Sequence, residues 1–135
     1  MITYQIEEKI GIEEFIQVLI NSTLGERRPI NEPERIVEML QHTNLIATAR
    51  DNGKLIGVSR SLTDFAFCTY LSDLAVDENY QKKGIGKELI RLTKEHTPKA
   101  TLILLAAPKA VGYYPKIGMR QWEQCYLLNN IEDLK

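Results

Sequence analysis

The sequence predicts an α/β domain. Stretches in which apolar residues alternate with period two are interleaved with stretches of helical spacing. An Asn52-Gly53 pair, a turn signal with φ > 0 at both positions, joins two strand-like runs. Residues 100–106 form an apolar run of strand length that is expected as a buried central strand.

Residues 1–7 place Ile2, Tyr4 and Ile6 in phase, which predicts a first strand. Residues 11–22 carry Ile12, Phe15, Ile16 and Leu19 at helical spacing. A loop is expected over 23–31, broken by Gly25 and Pro29. Asn31 is the expected N-cap of the next helix, with Pro33 in its first turn and Glu34 three residues on as in a capping box, and the helix runs to about Gln41. Strands over 45–50 and 54–61 flank the Asn-Gly turn, and a turn at 62–64 leads into a long strand over 65–76. Residues 84–96 read as a helix with Ile85, Leu89 and Leu92 inward, stopped by Pro98. After the apolar run at 100–106 come a helix over about 108–117 and a last strand over about 120–128.

The chain has 135 residues, which predicts one domain spanning 1–135. Its net charge is −1, so no broad basic field invites nucleic acid or a membrane surface. Cys68 and Cys125 have no metal-ligand spacing and make no disulfide framework, which fits a reducing, cytoplasmic setting. No window reaches the ~18 apolar residues of a membrane span, and no signal-peptide pattern opens the chain.

The most telling segment is Gln81-Lys82-Lys83-Gly84-Ile85-Gly86, which lies between a strand ending Leu74-Ala75-Val76 and a helix. Free backbone N–H groups at a helix N-terminus form an anion site, and glycines let the backbone approach a phosphate closely. Lys82, Lys83 and Lys87 add positive charge. Two phosphate loops fail on spacing. A P-loop using Gly86-Lys87 would need glycine at Gln81 and a hydroxyl at Glu88. A dinucleotide fingerprint starting at Gly84 would need glycine at Leu89.

The Q-x-x-G-x-G pattern that remains resembles the coenzyme A loop of the GNAT superfamily of N-acetyltransferases. A second segment, Ala110-Val111-Gly112-Tyr113-Tyr114-Pro115-Lys116-Ile117-Gly118-Met119, is similar to that family's helix-then-strand signature. The two lie in the family's order and at its usual separation. The resemblance covers about residues 45–128 well and the N-terminal helical part more loosely. It implies a single GNAT-type domain whose mixed central sheet has six to seven strands, flanked by about four helices. It also implies transfer of an acetyl group from acetyl-CoA to a primary amine by direct attack in a ternary complex, without metal. A small-molecule amine or a peptide amine is the acceptor, and the protein is a monomer or homodimer. The alternative is a non-catalytic domain that binds or senses acyl-CoA. A nucleotide-phosphate-binding module is disfavoured by the two failed motifs.

That chemistry needs a neutral amine. At neutral pH fewer than about one lysine-like amine in a thousand is uncharged, a cost of about 4 kcal/mol. It also needs an oxyanion donor and an acid for the departing thiolate. The resemblance assigns the pyrophosphate to amides of Gln81, Lys83, Gly84, Gly86 and Lys87. It assigns pantetheine to the backbone of Leu74 and Val76, and the acid role to Tyr114. Tyr70 and Ser72 share a strand face by alternation, and in the family this face meets the acceptor. Arg27 and Arg28 lie in the loop that borders the acceptor in the family. Asp73 falls on the opposite face unless a bulge re-aims it, so an ordered water relay is the expected base. Ala107 stands where many relatives carry a cofactor-binding asparagine, and Pro115 directly after Tyr114 is unusual. Tyr113 reads as a core aromatic, Trp122 as packing or acceptor rim, and Cys68 and Cys125 as strand residues.

Overall fold

The computed structural model describes residues 1–135. The chain divides into two compact units, Met1–Leu105 and Ala106–Lys135. The first holds a five-stranded sheet in the order β1 (Ile2–Ile6), β2 (Leu45–Asp51), β3 (Lys54–Thr63), β4 (Cys68–Val76), β5 (Thr101–Ile103). The first four strands are antiparallel neighbours, and β5 joins β4 in parallel, so the sheet is mixed. Helices α1 (Ile12–Asn21), α2 (Pro33–Gln41) and α3 (Ile85–His96) complete this unit.

Alternation along the strands feeds two cores. Phe15, Val18 and Leu19 of α1 and Ile36 of α2 pack with Ile46, Leu55, Val58 and Ala75 on one face. Ile85 and Leu89 of α3 pack with Ala47, Ala49 and Ile56 on the other. Gly57 allows α3 to come this close, because a Cβ there would stand 3.2 Å from both Ile85 Cγ2 and Leu89 Cδ1. Arg50 ties β1 and α1 to β2 through ion pairs with Glu7 and Glu14, each 2.8 Å long.

Several expected boundaries move, for local reasons. The N-cap of α2 is Glu32, not Asn31, with Pro33 starting the helix and no side-chain cap. The long strand begins at Cys68 rather than 65. Asp64 Oδ1 accepts the N–H groups of Ala66, Phe67 and Cys68, which curls 65–67 into the hairpin turn. Only Thr101–Ile103 of the run at 100–106 is strand. It lies at the sheet edge with two of its three residues exposed, so it is not a buried central strand.

The second unit holds a 3₁₀ turn at Pro108–Ala110 and one short helix, α4 (Tyr113–Lys116), instead of a continuous helix over 108–117. No strand forms over 120–128, so the sheet has five strands and not six to seven. Alternation at 120–128 is a local property, whereas a strand also needs a neighbour to pair with. No helix of the protein is long and apolar enough to cross a membrane.

Candidate active site

The register of β3 against β4 breaks between Arg60 and Ser61: Arg60 pairs with Asp73, and Ser61 with Leu71. Ser72 is the extra residue of a β-bulge. The bulge brings Ser72 and Asp73 to the same guanidinium. Arg60 Nη2 donates to Ser72 Oγ at 3.1 Å, and Arg60 Nε donates to Asp73 Oδ2. Arg28 completes the cluster, with Nε 2.5 Å from Asp73 Oδ1 and Nη2 2.7 Å from the Ser72 carbonyl oxygen. Asp73 is fully buried, and both of its oxygens accept from arginine. A carboxylate so held is a structural anion rather than a base. Arg28 is likewise spent on the bulge, while Arg27 next to it is exposed.

Pairing between β4 and β5 covers only three rows, ending at Tyr70 and Ile103. Beyond Tyr70 the outer edge of β4 has no neighbouring strand. The Asp77 N–H turns inward to the Ile56 carbonyl at 2.8 Å, so alternation turns the backbone groups of Leu74 and Val76 outward, to that open edge. Gln81 Nε2 reaches the same side, donating to the Val76 carbonyl oxygen at 3.0 Å.

The chain then turns through a 3₁₀ segment, Glu78–Tyr80, which Asp77 caps by accepting the Asn79 N–H. The Tyr80 hydroxyl donates to Asp51 at 2.7 Å and anchors the turn to the β2–β3 hairpin. Lys83 lies with its ammonium 5.5 Å from the Tyr80 ring centroid. Lys82 and Gly84 both adopt left-handed backbone, at φ 64° and 80°. Gly84 is the N-cap of α3, and having no side chain it caps none of the first amides. The amide of Gln81 gives to the Glu78 carbonyl at 3.4 Å, but the next six, from Lys82 to Lys87, make no well-formed hydrogen bond within the protein. Consecutive free amides at a helix start carry the partial positive charge that attracts an anion. The residues fit a phosphorylated group.

Around Tyr70 lies an open groove of about 450 Å³, lined among others by His42, Leu62, Asp64, Cys68 and Ile103. In the second unit, α4 ends in a Schellman motif. The Met119 N–H bonds to the Tyr114 carbonyl at 3.0 Å and the Gly118 N–H to that of Pro115 at 3.1 Å, with Gly118 at φ 97°. The Tyr113 and Tyr114 rings meet edge to face, 5.2 Å between centroids. Burial, and then the neighbouring Tyr113, raise the Tyr114 hydroxyl pKa above the usual tyrosine value. Tyr113 is exposed rather than a core aromatic. Trp122 is exposed too, with the Arg120 guanidinium 5.0 Å from its ring centroid, and Cys125 is an exposed thiol outside any strand.

The family model described as acetyltransferase (GNAT) domain matches residues 12–134. The chain belongs to the GNAT acetyltransferase family. Solved structures agree on the fold. A GNAT-family acetyltransferase of Streptococcus pneumoniae superposes with a TM-score of 0.79 at 24% identity, covering 97% of this chain and 98% of that one. An aminoglycoside acetyltransferase from an uncultured soil metagenomic sample superposes at 0.70 and 20% identity, covering 96% and 95%. Among curated proteins, an uncharacterised N-acetyltransferase of Pyropia yezoensis is 31% identical over 78 residues, 56% of this chain and 45% of its own length. Beta-lysine N(6)-acetyltransferase of Methanococcus maripaludis is 32% identical over 68 residues, 50% of this chain and 25% of its own length. The chain thus spans less than half the length of these curated relatives.

Within this GNAT chain the glycine loop and the end of β4 are brought together, and Tyr70 and Ser72 lie on the same strand beside them. Two residues escaped the sequence reading. Arg60 sits in a strand that is buried from Leu55 to Ser61, and a guanidinium in such a run has to find an anion. Asp64, followed by a short loop, carries the Asx-turn signature of a hairpin cap.

Proposed function

We propose that this chain transfers an acetyl group from acetyl-CoA to a primary amine, by direct attack of the amine within a ternary complex. The observation that carries the reading is the run of six amides without a well-formed hydrogen bond, Lys82 to Lys87, directly beside the open edge of β4. Those of Lys83, Gly84, Gly86 and Lys87 would hold the pyrophosphate. The Gln81 side chain, bonded to Val76, would fix the loop against the strand end. Backbone groups of Leu74 and Val76 would bind the pantetheine arm in the manner of an added strand. Acetyl-CoA supplies a thioester, whose carbonyl accepts the amine and whose thiolate departs.

The protein's own share is positional. The bulge at Ser72 aims the backbone just before Leu74, and the Arg28–Asp73–Arg60 cluster keeps that bulge fixed. Preorganised N–H donors stabilise a developing oxyanion without reorganising during the step. Tyr114, matched by its place in the family motif, holds a proton at neutral pH and would give it to the thiolate. No carboxylate is free to serve as base at the bulge, which supports removal of the amine proton through ordered water. Tyr70 and Ser72 would flank the acceptor. Relatives named for beta-lysine and for aminoglycosides are in keeping with an amine acceptor. We place the chain in the cytoplasm as one acetyltransferase domain, with both cysteines as free thiols.

The test is thiol release from acetyl-CoA over a panel of small amines, amino acids and peptides, with and without chelator. Turnover with at least one amine, unaffected by chelator, is expected. Tight acetyl-CoA binding with no turnover on any amine would leave the acyl-CoA-sensing reading in its place.

A further inference from the structure

Resting on the acetyltransferase reading, we infer that the groove beside Tyr70 selects acceptors that carry a second cationic group, held by the carboxylate of Asp64. Leu62, Tyr70 and Ile103 are paired partners across β3, β4 and β5, so their side chains form one row on one face of the sheet. Leu62 and Ile103 are 40% and 54% exposed and so present apolar surface to the groove. Tyr70 and Ile103 also form the last paired row before β4 and β5 part.

Most polar groups of the groove are already engaged. Asn44 exchanges two hydrogen bonds with the Thr63 backbone, at 2.7 and 3.0 Å, and Thr63 Oγ1 accepts the Phe65 N–H. Asp64 Oδ1 takes three loop amides. Asp64 Oδ2 is different: its hydrogen-bond partner is the Cys68 thiol at 3.8 Å, a weak donor. Besides His42, no basic side chain lines the groove to balance this charge. An apolar row with one under-used carboxylate oxygen in the same groove suits a methylene chain that ends in an ammonium. Asp64 and Tyr70 are six residues apart in sequence, but the hairpin brings both to this groove. A short diamine would place one nitrogen on Asp64 and its reacting nitrogen beside Tyr70. An anionic acceptor would be repelled.

Cys68 gives a readout that needs no turnover. In Cys125→Ser protein, Cys68 is the sole thiol, and its alkylation by iodoacetamide reports occupancy of the groove. We expect 1,5-diaminopentane to protect Cys68 at concentrations about two- to fivefold below those needed with n-pentylamine, the range set by an exposed ion pair. Asp64→Asn, which keeps an oxygen for the three loop amides, should bring the two amines level. Should that variant fold poorly, the wild-type comparison of the two amines still decides. In turnover, the ratio of kcat/KM for diamine over monoamine should fall about two- to fivefold in Asp64→Asn, with the Kd for acetyl-CoA unchanged. Equal protection by both amines, or no protection by either, would overturn the assignment. Selective protection without thiol release from any amine would uphold this site and count against the acetyltransferase reading instead.

Discussion

Asp73 carries two arginines on one buried carboxylate, and its neutral isostere would leave two guanidiniums without their anion. Breaking a buried pair by removing one partner costs about 3–5 kcal/mol. Asp73→Asn should therefore lower stability by roughly that amount in urea melts, with a loss of activity that follows the disordered bulge. A variant as stable as wild type would show that the cluster does not hold the strand. Asp64 shows the opposite balance of exposure and bonding. The amides of Phe67, Cys68 and Ala66, in that order, hold its carboxyl down to about 2. A depressed folded-state pKa contributes stability above the unfolded value and loses it as pH falls toward the folded one. The β3–β4 hairpin should thus stay intact at pH 5 and loosen between about pH 4 and 2, which carboxyl NMR of Asp64 would follow. Tyr114 is raised rather than lowered, so it keeps its proton at neutral pH. Tyr114→Phe should reduce kcat by about 10²-fold, with little change in the Kd for acetyl-CoA. A wild-type rate across the pH range would remove the hydroxyl from the mechanism. Of these three residues, Tyr114 was the one singled out by its motif, and its role is a proposal. The bulge that re-aims Asp73 was foreseen only as a condition, because alternation says nothing about an inserted residue. Its partner Arg60 went unread, because a single cation in an apolar strand names no anion.

At the scale of elements, α3 matters most, because its start presents the free amides. Its seat on the sheet is Gly57, where an added Cβ would meet Ile85, Leu89 and Ala49 at 3.2–3.3 Å. Gly57→Val should cost about 1–3 kcal/mol, the usual range for overpacking, and should weaken acetyl-CoA binding by shifting the N-terminus of α3. Unchanged stability and affinity would mean that α3 reaches its place by other contacts. Boundaries of α1, α2, α3, β2 and β3 were legible to within a few residues, since each follows from periodicity and a nearby glycine, proline or Asn-Gly turn. The start of β4 was not, because the Asp64 cap competes with strand propensity at Phe65 and Phe67. In the second motif, Gly118 is explained by the Schellman stop after Tyr114, a backbone requirement that the sequence pattern records without stating its cause.

At the scale of the whole chain, the α/β class follows from the order of elements and the mixed sheet from the family resemblance, whereas the strand count followed from neither. Residues 100–106 and 120–128 have strand-like composition, but pairing is non-local, and only three of these residues form a strand. The loop spacing and its place after β4 were fully legible, and from them comes the claim that this molecule is built around an acyl-CoA. Isothermal titration with acetyl-CoA tests that claim most directly, in wild type and in Gly84→Val. Valine at φ 80° is forbidden to a β-branched side chain, although the space around Gly84 is open. The wild-type protein should bind acetyl-CoA in the micromolar range and ATP weakly or not at all, and the variant, folded by circular dichroism, should lose acetyl-CoA binding. Undiminished affinity in the folded variant, or ATP bound as tightly as acetyl-CoA by the wild type, would contradict the account.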